Sequence, residues 1–142
     1  AELLAFHGKI CGLFGKKLTA RIDDLIELVG LRDARDRRVG GFSKGMLQRI
    51  GLAQALVHDP GLVVLDEPTA GMNRAEAAYF TALIRSATAG KTLLLVEHDM
   101  DVVADLADKI AVLVQGRIIA FGPPQSVRAD PAVQAAYLGE VA

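Results

Sequence analysis

"GLVVLDEPTAGMN", Gly61 to Asn73, decides how this 142-residue chain is read. Leu62 to Leu65 run straight into Asp66 and Glu67, and the turn formers Pro68 and Gly71 follow. A short β-branched run bounded by turns is the pattern of a strand buried on both faces, as in a parallel sheet. A carboxylate at the carboxyl end of such a strand points into the crevice where α/β proteins hold ligands. Taken alone, the same pattern also describes a strand that ends in a solvated turn.

The neighbours narrow the choice. Upstream lies "FSKGMLQR", Phe42 to Arg49. A serine and a glycine open a helix there, so its free backbone N–H groups and dipole favour an anion. An ordinary serine cap looks the same. Downstream, His98 follows the strand "TLLLVE" directly, which aims an imidazole at the same crevice, although histidines at strand ends are common. Within this group Asp66 suits magnesium, held through water, and Glu67 suits polarisation of an attacking water.

The flanking elements alternate. Residues 1–18 read as a helix broken near Gly12 and Gly15. Ile22, Leu25, Ile26 and Val29 form one helical stripe that stops at Gly30. Ser43 caps a helix to about Val57, with Met46, Ile50, Ala53 and Val57 along one side. Asn73 and Glu76 have the spacing of a capping box, and Phe80, Leu83, Ile84 and Ala87 form the stripe behind it. "TLLLVE" reads as a second buried strand, and Met100, Val103, Ala104 and Ala107 as another amphipathic helix. "IAVLVQ" and "RIIAFG" form a hairpin around Gly116, and Asp130-Pro131 starts a last short helix. A helical first part followed by strand–helix alternation argues for a mostly parallel sheet covered by helices. The division falls at residues 1–58 and 59–142.

Bulk chemistry excludes several classes. A net charge of −1 gives no general pull toward nucleic acid, and without tryptophan a broad base-stacking platform is not expected. Arg32, Arg35, Arg37 and Arg38 are interleaved with Asp33 and Asp36 and read as a solvated face. The single Cys11 rules out an intrachain disulfide and reads as a small core or half-buried residue. No run reaches the length of a transmembrane helix and no signal peptide is apparent.

In combination, "FSKGMLQRIGLAQALVHDPGLVVLDEPTAG" and "VEHDMDVVADLADKIAVLVQGRIIAFGPP" resemble the nucleotide-binding subunit of ATP-binding-cassette (ABC) transporters. The first resembles the signature helix running into the Walker B strand, the second the switch-histidine segment and following hairpin. The resemblance implies the α/β P-loop NTPase fold of the ABC cassette, beginning here at the helical signature subdomain. It implies ATP and Mg2+ as ligands of the complete subunit. Ser43 and Gly45 would touch the γ-phosphate, with Lys44 and Gln48 beside them. Asp66 would be the Walker B carboxylate, holding Mg2+ through water, and Glu67 the catalytic base. Ala70 to Asn73 would be the D-loop, with Asn73 nucleotide-facing, and His98 the switch histidine. Partners implied are a second nucleotide-binding subunit, head to tail so that each signature covers the other's ATP, and transmembrane permease subunits. The implied location is the cytoplasmic face of a membrane. Repair-type coiled coils and a double-cassette layout are not visible, so nucleic acid is not an expected partner.

Two departures stand out. The common "LSGGQ" is Phe42-Ser43-Lys44-Gly45-Met46 here, and a D-loop usually ending Leu-Asp ends Met72-Asn73. The wording resembles exporter-type cassettes up to Pro68 and branched-chain amino-acid importer cassettes from "AGMN" to "AYLGE", so a chimeric or engineered origin is an alternative.

A phosphate cradle needs G-x-x-x-x-G-K-[ST] between a strand and a helix. The tempting match is "GLFGKKLT", Gly12 to Thr19. Pairing Gly15-Lys16 with the motif puts Ile10 at the first glycine and Lys17 where the hydroxyl belongs. The chain alone is therefore expected to bind Mg-ATP weakly or not at all and to be inactive as an ATPase. A non-enzymatic interaction module is the competing expectation. In the family, the strand that leads into the cradle lies between the strand before His98 and "IAVLVQ". An edge left open there predicts dimerisation, domain swapping or poor solubility.

Overall fold

Serine, asparagine and glycine set the helix boundaries, and the computed structural model, which describes residues 1–138, follows them closely. The first helices are α1 (Glu2–Ile10), α2 (Gly15–Leu28) and α3 (Lys44–Leu56). The expected break falls at Cys11–Phe14, where Gly12 takes φ +82° and Gly15 φ +59°. α2 therefore starts at Gly15 and already contains Lys16 to Thr19, so a helix, not a strand, precedes "GLFGKKLT". Leu18, Ile22, Leu25, Ile26 and Val29 are buried, and Gly30 ends the stripe at φ +63°. α1 lies so close to α2 that a Cβ on Gly8 would collide with the Leu18 side chain. Cys11 is exposed, contrary to its reading as a core or half-buried residue. It caps α1 in the connecting turn, past the last buried position of the helix.

The charged connector forms two short 3-10 turns, Arg32–Ala34 and Val39–Gly41. Two of its four arginines pair with α2 acids, Arg35 with Asp23 at 2.6 Å and Arg32 with Glu27 at 2.9 Å, while Arg37 donates to the Gly41 carbonyl at 3.0 Å. Arg21 donates to the Leu56 carbonyl at 2.7 Å and joins α2 to the end of α3.

β1 (Leu62–Asp66) and β2 (Thr92–Val96) are parallel, joined through α4 (Arg74–Ala87). Leu62 stands opposite Thr92, and Asp66 opposite Val96. Val63 is buried, yet Leu62, Val64, Leu94 and Val96 are each more than half exposed. The expectation that both strands are buried on both faces is thus corrected. A two-stranded sheet presents two faces, and among the described residues only one of them is covered. The turns at the far end of the strands are held by Asp59, which accepts from Lys91 at 2.5 Å and lies 3.6 Å from Arg21. These ammonium and guanidinium groups, Lys91 first, hold the Asp59 carboxyl below its ordinary range.

Ala1–Val96 pack as one compact unit, and the chain from Glu97 onward as another. The second unit contains α5 (Met100–Leu106), β3 (Ile110–Val114), β4 (Arg117–Gly122), α6 (Pro124–Arg128) and α7 (Pro131–Leu138). β3 and β4 form the expected antiparallel hairpin. Its two turn residues, Gln115 and Gly116, both have positive φ, as a type I′ turn requires. Ile110, Ala120, Val127 and Val133 make its core. α6 has no counterpart in the sequence reading; Pro124 stands in its first turn, where a missing N–H costs no hydrogen bond. Asp130 caps α7 through the Ala132 N–H at 2.8 Å. Gly139 and Glu140 of the importer-like tail lie outside the described residues.

Candidate functional site

Ser43 is the N-cap of α3: its Oγ accepts the Met46 N–H at 3.3 Å. Lys44 is the first helical residue and there is no acid in the first turn. A cation at the positive end of a helix is locally unfavourable. Gly45 has open space where a Cβ would stand, so backbone there can be approached closely. Gln48 follows one turn later, partly buried.

Arg49 has no place in the sequence reading. Its Nη1 donates to the carbonyls of Val29 at 3.3 Å and Gly30 at 3.2 Å, and its Nε to that of Gly45 at 3.3 Å. These otherwise unpaired carbonyls at the end of α2 are thereby satisfied, and the first turn of α3 is tied to them. Nothing in a one-dimensional pattern links Arg49 to Gly30; only the helix packing does.

Asp66 ends β1, exposed at the carboxyl end of the parallel pair. Glu67 continues the ladder by one bond, its N–H donating to the Val96 carbonyl at 2.8 Å. Its φ is +42°, the left-handed region that a residue with a Cβ enters at a cost of roughly 1–2 kcal/mol. That turn sends the chain into two tight closures, Ala70 N–H to Glu67 carbonyl at 3.1 Å and Met72 N–H to Thr69 carbonyl at 3.0 Å. Pro68 and Thr69 are buried beneath them. Gly71 at φ +70° lies directly under the Lys44 ammonium, where a Cβ would collide with it. The start of α3 and the 70–73 turn are therefore brought together. Asn73 caps α4 in a complete capping box: Asn73 Oδ1 accepts the Glu76 N–H, and the Glu76 carboxylate accepts the Asn73 N–H, both at 3.0 Å.

In the second unit His98 is exposed just before α5. Its backbone N–H donates to the Glu97 carboxylate at 3.1 Å, and its ring Nδ1 lies 3.8 Å from the same oxygen. Asp99 caps α5 by accepting from Asp101 and Val102.

Magnesium takes oxygen ligands and keeps several waters, so one or two carboxylates suffice. Asp66 supplies such an oxygen at an exposed strand end and fits that requirement. Among the described residues no cluster of three or more metal-ligating side chains occurs.

Residues 4–70 match the family model of the ABC transporter, and residues 117–142 that of the branched-chain amino acid ATP-binding cassette transporter. Ser43, Gly45, Asp66 and Glu67 fall inside the first match; Asn73 and His98 lie between the two. The chain is 39% identical over 127 residues to the ABC transporter ATP-binding protein NatA of Bacillus subtilis (strain 168), covering 89% of this chain and 52% of the relative. It is 36% identical over 133 residues to the methionine import ATP-binding protein MetN 2 of Burkholderia mallei, covering 92% and 34%. Among solved structures, cbiO1 from Clostridium perfringens, part of the ABC transporter complex cbiONQ, superposes with a TM-score of 0.79 at 26% identity, covering 95% of this chain and 54% of that one. The ADP conformation of MJ1267, an ATP-binding cassette of an ABC transporter, gives 0.78 at 28% identity, covering 89% and 52%. The chain spans about half the length of these relatives or less.

Proposed function

Because the chain belongs to the ATP-binding cassette family of ABC transporters and spans about half of such a cassette, we propose that it supplies the signature and water-activating part of an ATPase subunit that drives transport. Residues 1–58 act as the signature subdomain and 59–142 as the second half of the ATPase core. The observation that carries this reading is the meeting of three motifs in one unit. The capped start of α3 abuts the 70–73 turn, and that turn begins at the Asp66-Glu67 end of β1.

Glu67 accepts a proton from the attacking water at its exposed carboxylate, and the backbone bond to Val96 keeps it at the strand end. Asp66 holds magnesium through water; the ion, when bound, neutralises charge on the transferred phosphoryl group. Ser43, Lys44 and Gly45, with Gln48 behind them, present backbone N–H groups, a hydroxyl and an ammonium to the γ-phosphate of an ATP held by a second subunit. Asn73 faces the same junction, and His98 contacts the γ-phosphate from its own subunit. The partners are that second nucleotide-binding subunit, head to tail, and permease subunits in the membrane, with the cassette on the cytoplasmic face. Among the described residues no helix is long and apolar enough to cross a membrane.

The 142 residues alone contain no G-x-x-x-x-G-K-[ST] and bind Mg-ATP weakly. The test is complementation with a separately made Walker A half of a related cassette. Mixing restores ATP hydrolysis, and Glu67→Gln lowers it by about a hundredfold or more. Activity indifferent to Glu67→Gln overturns the reading. Tight Mg-ATP binding by the chain alone, abolished by Lys16→Ala, overturns the dismissal of "GLFGKKLT".

A further inference from the structure

We propose that Arg49 is a positioning residue for the γ-phosphate contact at the start of α3, an inference that rests on the reading of Ser43 to Gly45 as the signature. Little else holds that turn still. The buried residues of α3 begin at Ile50, so its first turn has no fully buried side chain. The Ser43 cap bond is exposed and 3.3 Å long. Lys44 opposes the helix dipole there, and Gly45 is a weak helix former. A phosphate contact built on backbone N–H groups needs them fixed before the ligand arrives.

Arg49 supplies the grip from one turn further along the helix. Its Nε donates to the Gly45 carbonyl at 3.3 Å, while Nη1 donates to the Val29 and Gly30 carbonyls at 3.3 and 3.2 Å. No atom lies within 4 Å of where a Gly45 Cβ would stand, so the grip leaves the turn open to approach.

The far anchor is firm. Val29 is fully buried, and the guanidinium lies at the negative end of α2, where a cation is favoured. Glycine at position 30 leaves it room: a Cβ there would stand 3.4 Å from Nη1 and 3.3 Å from the Tyr79 hydroxyl. Tyr79 belongs to α4, the helix that follows the 70–73 turn. Side chains from α3 and α4 therefore meet at one point on the end of α2.

Two different nitrogens of one planar group serve the two ends, so the span from Gly30 to Gly45 is set by the guanidinium itself. Lysine keeps the charge and the stem but has a single nitrogen, which cannot hold both ends at once. Arg49→Lys is therefore the decisive variant. Arg32→Lys, in an exposed ion pair with Glu27, is the control.

Amide exchange on the whole 142-residue chain reads the placement. In Arg49→Lys the Met46 and Leu47 N–H groups, both bonded to Ser43, exchange about tenfold faster, as loss of one charge-assisted bond predicts, while those of Ala53 and Ile84 do not change. Complementation with the Walker A half of a related cassette reads the function. Arg49→Lys raises KM for ATP about tenfold and keeps kcat within about threefold, because the phosphate contact is present in ground state and transition state alike. Glu67→Gln lowers kcat instead, and Arg32→Lys changes neither. Far-UV circular dichroism verifies that each variant is folded. Unchanged exchange at Met46 and Leu47, an equal effect of Arg32→Lys, or an unchanged KM in a mixture that hydrolyses ATP overturns the proposal and leaves Arg49 a structural staple between α2 and α3. A parent mixture with no Glu67-dependent hydrolysis refutes the signature reading and the phosphate contact with it, and faster exchange in Arg49→Lys then shows separately that Arg49 fixes the turn.

Discussion

Replacing Asn73 by alanine isolates the helix cap that closes the 70–73 turn. Asn73→Ala removes the acceptor of the Glu76 N–H but leaves the reciprocal bond, because the Glu76 carboxylate pairs with the backbone of residue 73. The loss is therefore half of a capping box, about 1 kcal/mol. The Glu76 amide is exposed and water replaces part of the bond, which keeps the cost away from the upper end of the range. Asn73→Gly costs only a few tenths of a kcal/mol, since glycine is tolerated at this position. Asn73→Asp keeps the acceptor and adds a charge of the favoured sign at the start of α4, a gain of about 0.3 kcal/mol that nearby Glu76 reduces. For a chain of this size the alanine variant melts about 3 °C lower. Urea unfolding of the four proteins by circular dichroism gives the ranking, and amide exchange at Glu76 reads the cap locally. The order is Asp at or above Asn, then Gly, then Ala. An alanine variant as stable as the parent, or an aspartate variant as weak as the alanine one, refutes the capping argument.

Gly71→Ala forces a Cβ into φ +70° and costs roughly 1–2 kcal/mol, and adding Lys44→Ala restores little of it, because the lysine tip can swing away while the backbone cannot; a double-mutant cycle in urea measures both terms. Thr81→Val leaves stability unchanged or raised by about 1 kcal/mol, since the buried Thr81 hydroxyl has no hydrogen-bond partner among the described residues and its removal relieves desolvation; a clear loss by thermal unfolding contradicts that. Asp59, its carboxyl held low by Lys91 and Arg21, stabilises the fold above the ordinary carboxylate pKa of about 3.9, and that contribution disappears as pH falls through the lowered value. Lys91→Met moves the Asp59 titration upward in an NMR pH series, and an unmoved titration denies the pairing. The bare face of Leu62, Val64, Leu94 and Val96 drives concentration-dependent self-association, and Val64→Lys with Leu94→Glu reduces it; a monodisperse monomer at high concentration by light scattering counts against that.

Local rules explain most of what the sequence foretold. Ser43, Asn73 and Asp130 were identified as caps because side-chain oxygens at those spacings have one efficient use, and each makes the bond. Gly30 and Gly116 mark positive φ that few other residues adopt cheaply. Tertiary features stayed hidden. Arg49 reaches across twenty positions to Val29, and no periodicity encodes that reach. An all-apolar strand signals burial but not what supplies it, so the bare side of β1 and β2 could not be foreseen. The exposure of Cys11 follows from the exact residue at which α1 ends, which pattern reading places only within a few positions.

The left-handed backbone at Glu67 has a further consequence. Glycine or asparagine would sit there with less strain, as glycine does at Gly71 four residues later. Glutamate at φ +42° thus stores backbone strain at the carboxylate end of β1, and Glu67→Gly would release it while removing the carboxylate, so stability and any function of that side chain are opposed at one position.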